Sequence, residues 1–212
     1  MSGIKKFLVK RLARKLGFRF RKLIRYEQDL RLAVPRPRAK IPLTFRELKA
    51  EDLDSVPFLD PQDLPELRER FRRGHFAVAA FHQDRLAAFR WLNPFEAYEI
   101  TTGIRFPLRT GEIYSYQKLV DPALRNLGVG AQLGWEGNRM TLEKGYFRKV
   151  SFIEARNRAN RRSTSKNRNV PVGLLIFIQL FGLRFQKYFP WQHPPTEQSA
   201  GRTRKKDQAQ ES

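Results

Sequence analysis

Tyr116-Gln-Lys-Leu-Val-Asp-Pro-Ala-Leu-Arg-Asn-Leu-Gly-Val-Gly-Ala131 is the stretch that decides how this chain is read. A strand over Glu112–Val120 runs into Asp121-Pro122, where proline removes a backbone donor and ends the ladder. Arg125, Gly128 and Gly130 follow, and the spacing then predicts a helix over residues 130–144. A turn without Cβ atoms lets backbone approach a phosphate. The amides of the turn and the helix N-terminus supply donors and partial positive charge, and Arg125 adds a forked cationic donor. The stretch therefore reads as a diphosphate-binding turn. It is not the dinucleotide fingerprint, whose glycine spacing differs, nor a Walker loop, since no Gly-Lys-Ser/Thr follows.

Working outward, strands and helices alternate. Strands are expected at 43–48, at 75–81 and 85–92 as a hairpin around His82-Gln-Asp-Arg85, at 148–155, and as a final pair at 170–181 and 183–189. Helical segments are expected near Glu51-Asp52, over 65–73 and over 157–166. Residues 93–111 read as irregular, with one short strand at 99–106. Gly134 and Gly137 interrupt the helix over 130–144 at a cost of about 1 kcal/mol each, which implies close packing against a neighbour. A helix between the strands at 112–120 and 148–155 implies a parallel crossover, hence an α/β or α+β sheet.

The net charge of +21 is concentrated at one end. Residues 1–40 hold fourteen Lys and Arg against Glu27 and Asp29. Within them, Ile4, Phe7, Leu8, Leu12, Leu16, Phe20, Leu23 and Ile24 recur at helical spacing, which predicts a basic amphipathic helix over 4–26. Val34-Pro-Arg-Pro-Arg-Ala-Lys-Ile-Pro42 then reads as an extended linker. The division expected is a basic arm and linker over 1–40, a compact domain over 41–191 and a disordered tail over 192–212. Such an arm suits an anionic partner, whether a membrane surface through residues 4–26, nucleic acid or a polyanionic glycan, with a helix packed on its own domain as the bland alternative; no RNP-type aromatic strand supports nucleic acid. Without cysteine there is no disulfide or thiol nucleophile, and His75, His82 and His193 lack metal-ligand spacing, so no metal is expected. No uninterrupted apolar leader is visible, which fits a cytoplasmic protein, peripheral at a membrane if the arm binds lipid.

The central stretch resembles the GNAT (GCN5-related N-acetyltransferase) superfamily, whose members carry Q/R-x-x-G-x-G/A between their fourth strand and third helix. A Val-Asp-Pro phrase commonly ends that strand and stands here at Val120-Asp121-Pro122. Further on, Arg148-Lys-Val-Ser-Phe-Ile-Glu-Ala155 and the segment from Asn157 to Lys166 resemble the family's next strand and its Asn…Lys phrase; Pro171-Val-Gly173 also resembles some bacterial members. The resemblance spans roughly residues 43–190. It departs at Arg168-Asn169, where members carry Gly-Phe, and at Thr164, where many carry a catalytic tyrosine.

The resemblance implies a mixed, largely antiparallel central sheet flanked by helices. It also implies acetyl-CoA or another acyl-CoA as co-substrate and an amine-bearing acceptor. It places Leu119 and Val120 on the acyl group and pantetheine through backbone. Arg125, Asn126, Leu127, Gly128, Val129, Gly130 and Ala131 fall on the pyrophosphate, and Asn157 on the pantetheine arm. Acyl transfer needs a base for the amine. Period-two alternation puts Glu112, Tyr114, Tyr116 and Lys118 on one strand face. Members often carry the base on this strand, so Glu112 is the first candidate and Tyr114 the second residue proposed to act; the bland reading of Glu112 is a solvated strand-start glutamate. His75 and His82 read as structural or exposed. Three functions follow: a CoA-dependent N-acyltransferase, the same enzyme at a membrane surface acting on a lipid or surface-polymer precursor, or a basic nucleic-acid- or ribosome-binding protein that keeps the fold without catalysis.

Overall fold

The computed structural model describes residues 18–54, 56–99 and 102–191. Their strands are β1 (Arg19–Asp29), β2 (Thr44–Glu47), β3 (Phe76–His82), β4 (Arg85–Asn93), β5 (Glu96–Glu99), β6 (Ile104–Pro107), β7 (Glu112–Val120), β8 (Arg148–Glu154), β9 (Val170–Leu180) and β10 (Leu183–Pro190). The helices are α1 (Leu64–Arg72), α2 (Val129–Glu143) and α3 (Arg158–Lys166), with short 3-10 turns at Ala50–Leu53, Pro61–Asp63 and Pro122–Leu124. Eight strands form one sheet in the order β10-β9-β1-β8-β7-β4-β3-β2, and β5 and β6 form a separate ribbon. Among the described residues only β7 and β8 pair in parallel, as the crossover through α2 requires. This is the mixed, largely antiparallel sheet with flanking helices that the resemblance implies.

Alternation along β3 and β4 sorts the core into two layers. Val78, Ala80, Ala88, Leu92 and Ile113 meet Val129 and Leu133 of α2 on one face. Ala77, Ala79, Phe89 and Trp91 meet Leu48, Leu53 and Leu67 on the other. The alanines of β3 leave room for close packing, and Phe71 of α1 sets its edge against Trp91 with ring centroids 4.8 Å apart. Gly137 shows the close packing expected of a helical glycine: a Cβ there would stand 2.6 Å from the Arg90 guanidinium. At Gly134 a Cβ would meet nothing within 4 Å.

Residues 19–29 correct the sequence reading. They are not the second half of an amphipathic helix but strand β1, antiparallel to both β8 and β9. Phe20 and Ile24, four apart, satisfy a helical and a period-two pattern equally. Burial on both faces places Leu23 and Ile24, at 5% and 6% exposed, side by side in sequence. A domain beginning at residue 41 would therefore lack an interior strand. Residues 1–17 and 192–212, with the expected helix start and tail, lie outside the described residues.

The linker is extended as expected, but it is tied down. It lies along α2, where the Ala39 N–H donates to Gln132 Oε1 at 2.8 Å and the Trp135 indole N–H donates to the Val34 carbonyl at 2.9 Å. Arg36 pairs with the buried Glu136 and lies over the Trp135 ring. The region read as irregular with one strand holds the two short strands of the β5–β6 ribbon. Among the described residues no helix is long and apolar enough to cross a membrane.

Candidate active site

The site begins with a break in β7. Gln117 has φ of +32°, and the pairing of β4 with β7 shifts between Arg90 and Trp91. This bulge corrects the simple alternation. Tyr116 stays on the Trp91 side with Leu119, while Lys118 turns to the α2 side and donates from Nζ to the Gly130 carbonyl at 3.3 Å. The Arg70 guanidinium donates to the Gln117 side chain and so fixes the bulge from α1.

Beyond the bulge the chain turns as the sequence predicts. The Asp121 carboxylate accepts the Ala123 N–H at 2.9 Å and starts the short turn at Pro122. Asn126 and Gly128 have φ of +64° and +83°, and Gly128 caps α2, its carbonyl accepting the Ala131 and Gln132 N–H groups at 3.1 Å each. Arg125 and Asn126 are exposed. The Val129 and Gly130 N–H groups, at the first two positions of α2, have no carbonyl one turn back and so point out of the helix end. The missing Cβ atoms face the protein rather than the cleft. At Gly128 a Cβ would stand 3.1 Å from Ala39 Cα and 3.2 Å from the Arg38 carbonyl; at Gly130 it would stand 3.2 Å from the Val120 side chain. The glycines are thus needed for a left-handed turn and for linker and strand packing.

β7 and β8 pair only at Glu112↔Arg148, Ile113↔Lys149 and Tyr114↔Val150, then part. The V between them is a cleft walled by Gly130, Ala131 and Gly134 of α2 and by Asn160, Ser163 and Thr164 of α3. None of the described residues lining it is acidic. Asn157 lies at the start of α3, where its Oδ1 accepts the Asn160 N–H at 3.0 Å as a helix cap. Of the residues expected on the donor, Gly130 and Ala131 line the cleft, while Leu119, Val120, Arg125, Asn126, Leu127, Gly128, Val129 and Asn157 do not.

A second cleft opens on the other side of β7, lined by His75, Tyr98, Tyr114 and Tyr116 with Glu66 and Arg70 of α1. Tyr116 lines both clefts. Its phenol oxygen lies 2.6 Å from His75 Nδ1, and its ring stacks on Tyr114 at 5.4 Å between centroids. Burial and the nearby Arg70 and Arg73 charges lower the pKa of His75, favouring the neutral imidazole. Burial pushes both phenols well above the ordinary tyrosine value, so each stays protonated. A neutral imidazole beside a protonated phenol can take a proton on one side and pass one on the other.

The structure brings Tyr114 into this cleft but not Glu112. Glu112 is 2% exposed at the start of β7 and lines neither cleft. Its Oε2 accepts the Arg109 N–H at 3.0 Å and its Oε1 lies 3.6 Å from the Arg148 guanidinium, so it secures the loop before β7. The sequence reading also passed over His75, Arg90 and Lys149. Arg90 left a signal, a lone charge inside the apolar run Leu86–Leu92; His75 left none. Among the described residues no group of three or more His, Asp or Glu is placed to hold a metal.

No protein-family model matches the sequence, and no curated protein is detectably similar to it. Solved structures do match its fold. A tandem GNAT protein from the clavulanic acid biosynthesis pathway superposes with a TM-score of 0.55 at 13% identity, over 84% of this chain and 58% of that one. A GCN5-related N-acetyltransferase from Sphaerobacter thermophilus gives 0.52 at 13%, over 88% and 57%. A Drosophila protein gives 0.54 at 17%, over 84% and 57%. The chain thus spans little more than half the length of these structures. With a bulged strand, a glycine-capped helix and a V-shaped parting beside them, the chain has the fold of the GNAT (GCN5-related N-acetyltransferase) superfamily.

Proposed function

We propose that this protein is an N-acyltransferase that moves an acetyl or other acyl group from CoA to an amine. The observation that carries this reading is the position of Tyr116, which lines a polar cleft beside the α2 N-terminus and an aromatic cleft behind it. The first suits the donor: helix N–H groups and Arg125 for the pyrophosphate, with the parted strands for the pantetheine arm. The second suits the acceptor, since Tyr98, Tyr114 and Tyr116 offer ring faces on which the carbon skeleton of an amine can pack.

The chemistry follows from those places. The acceptor enters as an amine that has released its ammonium proton to solvent. Its nitrogen attacks the thioester carbonyl, the C–N bond forms and the C–S bond breaks. The proton left on nitrogen goes to His75, Tyr116 gives its phenol proton to the departing thiolate, and His75 restores the phenol. The base is therefore His75 rather than Glu112. The assay is release of free CoA thiol from acetyl-CoA with a panel of primary amines; amine-dependent release supports the reading, and none with any amine or acyl-CoA rejects it.

A peripheral position at an anionic membrane also belongs to this reading. Phe18, Phe20, Phe181, Leu183 and Phe185 are exposed at one end of the sheet, and Arg19, Lys22, Arg184 and Lys187 lie among them in sequence with no acidic residue in 18–26 or 170–191. Aromatic and basic side chains together suit a headgroup boundary. Salt-sensitive sedimentation with acidic liposomes, lost in Phe181→Ser/Phe185→Ser, is the expected result; equal binding by that variant removes this element.

A further inference from the structure

Three cations from three different strands share the donor cleft: Arg90 of β4, Lys118 of β7 and Lys149 of β8. Arg90 and Lys149 are 5% and 8% exposed. Lys118 is exposed at the cleft mouth. Their partners are all neutral. Arg90 Nη1 donates to Asn138 Oδ1 at 3.1 Å and to the Gly134 carbonyl at 3.4 Å. Lys149 Nζ donates to Gln28 Oε1 at 2.6 Å and to Asn138 Oδ1 at 3.2 Å. Arg90 Nε and Nη2 are buried with no acceptor.

No ion pair forms to any of the three among the described residues. Glu136, the buried acid of α2, is engaged by Arg36 and Arg139. Burying charge without a counter-charge is costly. The three also repel one another: burial and the neighbouring cations hold Lys149 well below the ordinary lysine pKa, and burial lowers Arg90 to about 10. The arrangement is nonetheless supported from several sides. Gly137 leaves space for the Arg90 guanidinium, and Gln28 of β1 is braced by donating to the Asn167 carbonyl at 2.7 Å.

We propose that the floor of the β7–β8 cleft is an oxyanion site, which takes a carboxylate or phosphate carried into it by the donor. This rests on the acyl-CoA reading. The pantetheine arm is neutral, so the oxyanion is either the free carboxylate of a dicarboxylic acyl group or a phosphate of the donor. A ligand oxyanion gives the three cations the counter-charge that no protein residue supplies, and Arg90 and Lys149 give it charge-assisted hydrogen bonds.

Calorimetric titration of acetyl-CoA, succinyl-CoA and inorganic phosphate into the wild type, Lys149→Met and Arg90→Met tests this, with melting curves establishing that each variant is folded. The expected result is succinyl-CoA binding about tenfold or more tighter than acetyl-CoA, with the preference lost in either folded variant, as for loss of a charged hydrogen bond. Equal loss of acetyl-CoA and phosphate binding in the variants also supports the site and assigns the oxyanion to a phosphate. Unchanged affinities in both variants while acetyl-CoA still binds overturn the site and leave the acyltransfer reading intact. Phosphate binding that depends on Lys149, with no binding of either acyl-CoA, keeps the site and rejects that reading. No binding of any probe overturns both.

Discussion

The imidazole Nδ1 of His75 lies 2.6 Å from the phenol oxygen of Tyr116, and this bond joins the start of β3 to the strand that separates the two clefts. It gives the proposed proton path a defined order, from amine to His75 to Tyr116 to thiolate. Replacing Tyr116 with Phe removes the proton donor and keeps the ring that packs on Tyr114 and Trp91. We expect kcat to fall by about 10²-fold or more, as for loss of a general acid, with KM for acyl-CoA little changed. A Tyr116→Phe enzyme with wild-type kcat returns the proton transfer to solvent.

The pH profile carries a sign. The folded pKa of His75 is lowered below 6.5 by burial and by Arg70 and Arg73. Its base form is therefore retained above that value and lost as pH falls through the depressed pKa. We expect the acid limb of kcat, read at saturating acceptor so that the free amine's own ionisation drops out, to lie below the ordinary histidine value and to disappear in His75→Gln. An acid limb above 6.5, or one that survives in that variant, assigns the titration elsewhere.

Most of this architecture is readable in the sequence because strand alternation and glycine punctuation are local signals. The hairpin of β3 and β4, strand β7, the turn at Asp121-Pro122 and helix α2 all fall within a residue or two of their expected bounds. Three features were not readable, each for a non-local reason. The apolar spacing of β1 fits two periods, and its true neighbours β8 and β9 are more than a hundred residues away. The bulge at Gln117 follows from the β4 register and the Arg70 bond, and it reverses the face on which Lys118 was expected. His75 acquires meaning only when the sheet brings Tyr116 beside it, whereas Glu112, on the right strand, sits at the wrong end of it.

The glycines of the turn and helix separate two physical roles. Gly128 has φ of +83° and its Cβ position abuts Ala39, so Gly128→Val strains the backbone and pushes the linker away. A loss of about 1–3 kcal/mol is expected. Gly134 is helical with open space, so Gly134→Ala stabilises by about 1 kcal/mol. Urea denaturation of the two variants checks both, and a neutral Gly128→Val contradicts the packing described for the turn.

Truncation at Ile41 tests the place of β1. The cut removes the strand between β8 and β9 and with it Leu23, Ile24 and the fully buried Tyr26. The truncated chain is expected to show no cooperative melting, while a chain starting at Phe18 keeps the whole strand and melts cooperatively. Equal melting by both forms excludes β1 from the stable sheet.

The central claim, that acyl-CoA occupies the parting of β7 and β8 beside Tyr116, is tested most directly by amide hydrogen exchange with and without saturating acetyl-CoA. The account predicts slowed exchange in residues 117–131 and 151–164, around the α2 N-terminus and along the facing α3, with β2 and the β9–β10 hairpin unchanged. Binding without protection at the α2 N-terminus, or no binding at all, contradicts it.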